Sequence, residues 1–183
     1  MGCTSSCLKC SGPLPARTPR EALEDLVAPL RTVVGCITTT GLITTGTDPI
    51  RATHSIEFLG QQPVRLRRAG TRSPLHFSVA HGYALTRNSD GLWTAITTGW
   101  AYQVEDAGTG REWFAYHWHP DSRSRALAPH LHISVRTEPA DVADAHFPTG
   151  AISLADMVRL LIEDFQVQPV RSDWQRRLEA ART

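Results

Sequence analysis

Lysine is almost absent from this chain of 183 residues: Lys9 stands alone among 19 basic residues, the other 18 being arginine, a bias of the kind a GC-rich bacterial genome produces. Aromatic residues are scarce too, at 7% against 41% for apolar residues as a whole, which leaves material for one ordinary core, or one domain with a loose end. Long apolar runs are missing. The longest uncharged stretch, Thr32 to Thr47, is interrupted by threonine and glycine and is shorter than the ~20 residues a membrane helix requires, so no membrane association is expected. No apolar segment follows Lys9, and the expectation is a chain without a secretory signal peptide, located in the cytoplasm. A net charge of +1 argues against a protein that coats nucleic acid wholesale.

The small net charge hides a bipolar chain. Six arginines between Arg51 and Arg87 face Glu57 alone, and six acids between Glu138 and Asp164 face Arg159 alone. Three of the four cysteines, Cys3, Cys7 and Cys10, crowd ahead of Pro13 and Pro15. Met1-Gly2-Cys3-Thr4-Ser5-Ser6 fits an N-myristoylation pattern that a bacterial chain would not use, and the cysteine spacing of an iron–sulfur cluster would need a barrel longer than this chain. Residues 1–17 are therefore expected to form a mobile terminus with free thiols, ahead of a single α+β domain over 18–183.

Thr18-Pro19-Arg20-Glu21 is a capping box with proline at the first helical position, and Ala22, Leu23, Leu26, Val27 and Leu30 recur at helical spacing. These predict a helix over 19–33 that Pro29 should kink or end. Thr38 to Pro49 reads as a linker or an edge hairpin. From about 55 to 136 the pattern changes to short β-prone runs at 55–59, 64–68, 75–80, 83–87, 92–104, 112–119 and 130–136, with turn residues at Asn88 to Gly91 and Asp106 to Gly110. Ser153-Leu154-Ala155-Asp156 opens a helix over about 154–166, with Leu154, Met157, Val158, Leu161, Ile162 and Phe165 on one face. Pro169 stops it, and a shorter helix carrying Trp174 and Leu178 spans about 173–181. The fold class expected is α+β, a meandering antiparallel sheet with C-terminal helices packed on the face that carries Phe114, Tyr116, Trp118, Leu131 and Ile133.

Five of the eight histidines lie between His117 and His146, and four of them form the pairs His117-Trp118-His119 and His130-Leu131-His132. Strand side chains alternate, so each pair projects to one face, opposite the apolar residues between them. If the connection from Pro120 to Pro129 returns the chain antiparallel, the four imidazoles lie within about 5 to 8 Å of each other. Three uses are open to such a cluster. Neutral imidazoles bind zinc, nickel or copper, imidazoles near pKa 6.5 transfer protons, and a polar sheet face can simply be built of histidine. Arg123 and Arg125 in the connection could hold a phosphate. A cupin-type metal motif lacks its downstream Glu here, and His146-Phe147-Pro148-Thr149-Gly150 does not supply its second half. Leu75-His76-Phe77-Ser78-Val79 and Leu131-His132-Ile133-Ser134-Val135 both fit the motif of two-histidine phosphoesterases, but no helix is indicated between them, as those bilobal enzymes require.

Tyr116-His117-Trp118-His119-Pro120, Pro129-His130-Leu131-His132 and the amphipathic stretch from Ser153 to Phe165 follow one another in an order and at a spacing that resembles the TumE-like family of small bacterial toxins of toxin–antitoxin pairs. In that family a strand with Tyr-x-[Tyr/His] leads through a variable connector to Pro-His-x-His and then to an amphipathic helix. The resemblance covers about residues 100–165. It departs from the family where Ala115-Tyr116-His117-Trp118 stands for an Arg-Tyr-Asp-Asn stretch and where His119-Pro120 reverses the Pro-His order. It implies a toxin-like protein with an antitoxin protein as partner, and it supplies no reaction.

The residue types suggest one. His117, His119, His130 and His132, with Tyr116 beside them, are candidate catalytic residues. One imidazole would deprotonate a ribose hydroxyl and another would protonate the leaving oxygen, while Arg123, Arg125 and Arg67 hold the phosphate. Such a protein would act on RNA or a nucleotide with no metal and no cofactor. The alternatives are a non-catalytic protein that docks its acidic C-terminal third and arginine-rich middle on a partner, and a metal-binding protein whose two H-x-H pairs are ligands.

Overall fold

The computed structural model describes residues 15–48, 53–120, 128–134, 147, 150 and 152–181. Cys3, Cys7, Cys10, Arg123, Arg125 and His146 lie outside them. At the first helix the capping box forms in both directions: the Thr18 hydroxyl accepts from the Glu21 N–H, and the Glu21 carboxylate accepts from the Thr18 N–H. Helix α1 then spans Pro19–Val34, and Pro29 does not end it. The carbonyl that a residue at this position would normally bond belongs to Asp25, which is exposed together with Pro29, so water can take that hydrogen bond and the helix continues for another turn.

Among the described residues seven strands follow: β1 (Leu42–Thr44), β2 (His54–Phe58), β3 (Val64–Leu66), β4 (Leu75–Arg87), β5 (Trp93–Asp106), β6 (Glu112–Trp118) and β7 (His130–Ile133). They form one antiparallel sheet in the order β1-β2-β4-β5-β6-β7, with β3 also paired to β4. The turns that connect β4 to β5 and β5 to β6 are tied by short side chains. Asn88 Oδ1 accepts from the N–H groups of Asp90 and Leu92, and Asp106 Oδ1 accepts from those of Gly108 and Thr109. The separate runs expected at 75–80 and 83–87 are in fact one strand. It passes Gly82 as a β-bulge, with Gly82 opposite Gly99 and Tyr83 opposite Thr97. A Cβ at position 82 would lie 2.8 Å from Thr98 Oγ1, so the glycine that reads as a break in the sequence allows the strand to continue.

Alternation divides the sheet into two faces. Ile56, Phe58, Leu75, Phe77, Tyr102 and Val104 point inward and are buried. Helices α1, α2 (Leu154–Glu163) and α3 (Trp174–Ala180) belong to the same core. The second capping box forms as well, Ser153 with Asp156, and it starts α2 so that Met157, Val158 and Leu161 are fully buried. Phe165 follows the helix and packs on Phe114, ring centroids 5.1 Å apart. The following segment is stitched to the sheet by the bonds Ala69 N–H to Gln166 O and Gln168 N–H to Arg67 O, both 2.9 Å.

The α+β class with helices packed on one sheet face describes this molecule, with two local departures. Trp113 should share the outer face with Ala115 and His117, but it is the extra residue of a bulge. Val104 opposes Phe114 while Glu105 opposes Glu112, so Trp113 is turned inward, buried 5.9 Å from Phe165 with Arg68 over its ring. Ile133 pairs with Phe114 on the inner face yet is 50% exposed, because among the described residues the last strand of the sheet has a neighbour on one side only. Among the described residues no helix is long and apolar enough to cross a membrane.

Candidate histidine site on the outer sheet face

The face turned away from the helices is built largely from small side chains. One row across five strands reads Glu57, Ala80, Ala101, His117 and His130, each residue opposite the next. The neighbouring row reads Ser78, Gln103, Ala115 and His132. In an antiparallel pair directly opposed residues are the closest side-chain neighbours, and the register of β6 with β7 uses this to gather the imidazoles. His117 opposes His130, and His132 opposes the methyl group of Ala115, which leaves it room to lean toward His117.

Ring centroids of His117 and His132 are 5.0 Å apart, those of His130 and His132 4.8 Å, and those of His117 and His130 6.0 Å. One ring nitrogen from each of the three lies within 4.8 Å of the other two. His119, on the same face of the same strand as His117, stands nearly perpendicular to it, with Nε2 3.3 Å from His117 Nδ1.

Hydrogen bonds decide which nitrogens are available. His130 Nδ1 is 2.9 Å from the Ala128 carbonyl, which can only accept, so in the neutral ring the proton sits on Nδ1 and the lone pair on Nε2. At His117, Nδ1 faces His119, and Nε2 is buried without a hydrogen-bond partner among the described residues. Burial, then the three neighbouring imidazoles His132, His119 and His130, lowers the pKa of His117 to about 4. That ring is neutral at pH 7. Next to this cluster Ala80 and Ala101 floor a hollow of about 320 Å³ edged by Glu57, Gln61, Ser78 and Gln103.

The sequence-derived candidates divide accordingly. His117, His119, His130 and His132 come together. Tyr116 is on the opposite, inner face, buried beside Phe114, and burial pushes its hydroxyl up to about 12. Strand parity keeps it away from the imidazoles. Arg67 follows β3, which the sheet order separates from β6 by three strand spacings, about 14 Å at ~4.8 Å each. It serves a different part of the surface. Sequence reasoning missed the Ala128 carbonyl, and nothing in the sequence could signal it, since every residue carries that group. No family model matches this chain, and no curated protein and no solved structure does either.

Proposed function

We propose that the outer face is a metal centre, in which His117, His130 and His132 bind one divalent transition-metal ion, zinc being the first expectation. The observation that supports this is the convergence of three imidazole nitrogens within 4.8 Å, on rings of which one also holds a buried nitrogen with no partner among the described residues and another is oriented by a backbone carbonyl. Tetrahedral zinc with Zn–N of ~2.0–2.1 Å needs nitrogens about 3.3 Å apart, so the rings close on the ion by movements of about 1 Å. Three neutral nitrogen ligands leave a fourth position, which in zinc enzymes holds the water used for hydrolysis or hydration. A substrate would lie on the Ala80 and Ala101 floor, within reach of Gln103 and Ser78.

Titration of the full chain with zinc, and with cobalt as a spectroscopic probe of tetrahedral geometry, tests this. One equivalent should bind to the parent protein and be lost from His117→Ala and His132→Ala. Binding no stronger in the parent than in a variant lacking all three histidines would overturn it.

The contact between His119 and His117 favours a second reading, a toxin-like protein of the kind the TumE-like resemblance implies, to which the residue types alone add action on RNA, with the two imidazoles passing a proton in a metal-free reaction. Its signature is RNA cleavage, and growth inhibition on expression, that survive chelation and are lost in His117→Ala. Activity abolished by a chelator and restored by zinc sinks this reading and supports the first.

A further inference from the structure

Away from the four-histidine cluster, the strand end at β3, the loop after α1 and the segment after α2 meet at two adjoining hollows of about 330 and 440 Å³. They share Thr38, Thr39 and Val170 in their walls. Arg65 and Arg67 line the first, Arg31 and Arg171 the second, and among the described residues no acidic side chain lines either. Arg31 is neutralised by a two-oxygen contact with Glu24 at 2.7 and 2.8 Å. The others are not. Arg171 is oriented by its Nε bond to the Gly35 carbonyl at 3.1 Å, and Arg65 and Arg67 make no ion pair among the described residues.

Like charges repel, so three guanidiniums without an ion pair along the crevice formed by the two adjoining hollows favour an anion between them. Strand alternation puts Arg65 and Arg67 on one side, about 7 Å apart along the chain at ~3.3 Å per residue. Guanidinium presents a planar fork that matches two oxygens of a phosphate, and the hydroxyls of Thr38 and Thr39 add donors that a phosphate ester can use. Volumes of this size suit a small molecule.

We propose that this crevice binds a small phosphorylated molecule through a diphosphate group, held by Arg65, Arg67 and Arg171 with Thr38 and Thr39. The site is separate from the histidine cluster and does not depend on the metal reading.

The probe is inorganic pyrophosphate, titrated calorimetrically into metal-free full-length protein at low ionic strength. Saturable one-to-one binding is expected, weakened about tenfold or more in the double variant Arg65→Gln, Arg67→Gln and in Arg171→Gln. Arg20→Gln, at the far end of α1, and His132→Ala should bind as the parent does. Because Arg65 and Arg67 are exposed, the double variant keeps the parent's unfolding midpoint and its loss reports on binding. Absence of saturable heat, or equal affinity in the parent and the double variant, overturns the proposal. A single-stranded RNA that binds more tightly than pyrophosphate and is lost in the same variants also overturns it, by making the ligand a polynucleotide backbone.

Discussion

On the inner face of the sheet His54 stacks on Tyr83 with ring centroids 5.1 Å apart, and its two nitrogens face the Asp48 carbonyl at 2.7 Å and the Thr45 hydroxyl at 3.4 Å. On the outer face His117 meets three other imidazoles and holds a buried nitrogen with no partner among the described residues. The same side chain is a hydrogen-bonded structural part in one place and a member of an imidazole cluster in the other. The difference comes from what surrounds it. At His54 an aromatic ring, a fixed backbone carbonyl and a hydroxyl satisfy the imidazole, while His81 on the same face keeps a buried Nδ1 with no partner among the described residues; at His117 the cross-strand neighbours are Ala101 and another imidazole.

The strongest way to break this comparison is to remove a side chain that the inner face depends on. Phe114→Ala, fully buried between Phe147, Tyr116 and Phe165, should cost ~3–5 kcal/mol in urea unfolding, and Leu161→Ala ~2–5 kcal/mol. Ile133→Ala, directly opposite Phe114, should change stability by only about 0.5 kcal/mol because the residue is half exposed. Equal losses at 114 and 133 would mean that the last strand is as much a part of the core as its neighbour.

His81 gives the next largest effect. It is buried on the inner face with Nε2 2.9 Å from the Thr97 hydroxyl, and burial lowers its pKa from 6.5 to about 4. The unfolded chain then binds a proton that the folded chain refuses, so stability is full above pH 6.5 and falls as pH drops toward 4, by about 3 kcal/mol in all. The unfolding midpoint in urea should fall between pH 7 and pH 4.5, and the fall should be smaller in His81→Gln. An identical pH dependence in the two proteins would show that His81 is not the group responsible.

For His132 and His119 on the outer face the expected effects are on ligand affinity. His132→Ala should lose on the order of 100-fold in zinc affinity, about 2.7 kcal/mol, while the metal-free variant unfolds at the parent's midpoint. His119→Ala should cost about tenfold, since it removes the ring that orients His117 and leaves the three ligands in place. His119→Gln, which keeps an acceptor there, should recover part of the loss. A His119→Ala loss as large as that of His132→Ala would make His119 a ligand in its own right.

Much of the architecture is legible in the amino-acid sequence alone. Both capping boxes, the helical spacing of Leu154, Met157, Val158 and Leu161, and the turn residues Asn88 and Asp106 act over a few residues of chain, so their physics is complete in the local sequence. The shared face of each H-x-H pair is legible for the same reason, because alternation is a property of one strand. The bulge at Trp113 and the continuity of β4 through Gly82 are not, since a bulge depends on the register of the partner strand. Pro29 inside α1 is not either, because its cost depends on whether water reaches the Asp25 carbonyl.

By itself, then, the sequence determined the elements, the class of fold and the four histidines, through interactions that span one turn or one pleat. Only the tertiary structure decided which nitrogens of those histidines are available, that Tyr116 faces away from them, and that Arg67 joins Arg65 and Arg171 in place of the imidazoles. Those outcomes depend on contacts between residues more than a hundred positions apart, such as Gly35 with Arg171, and their distances are set by packing and strand order, which no local pattern encodes.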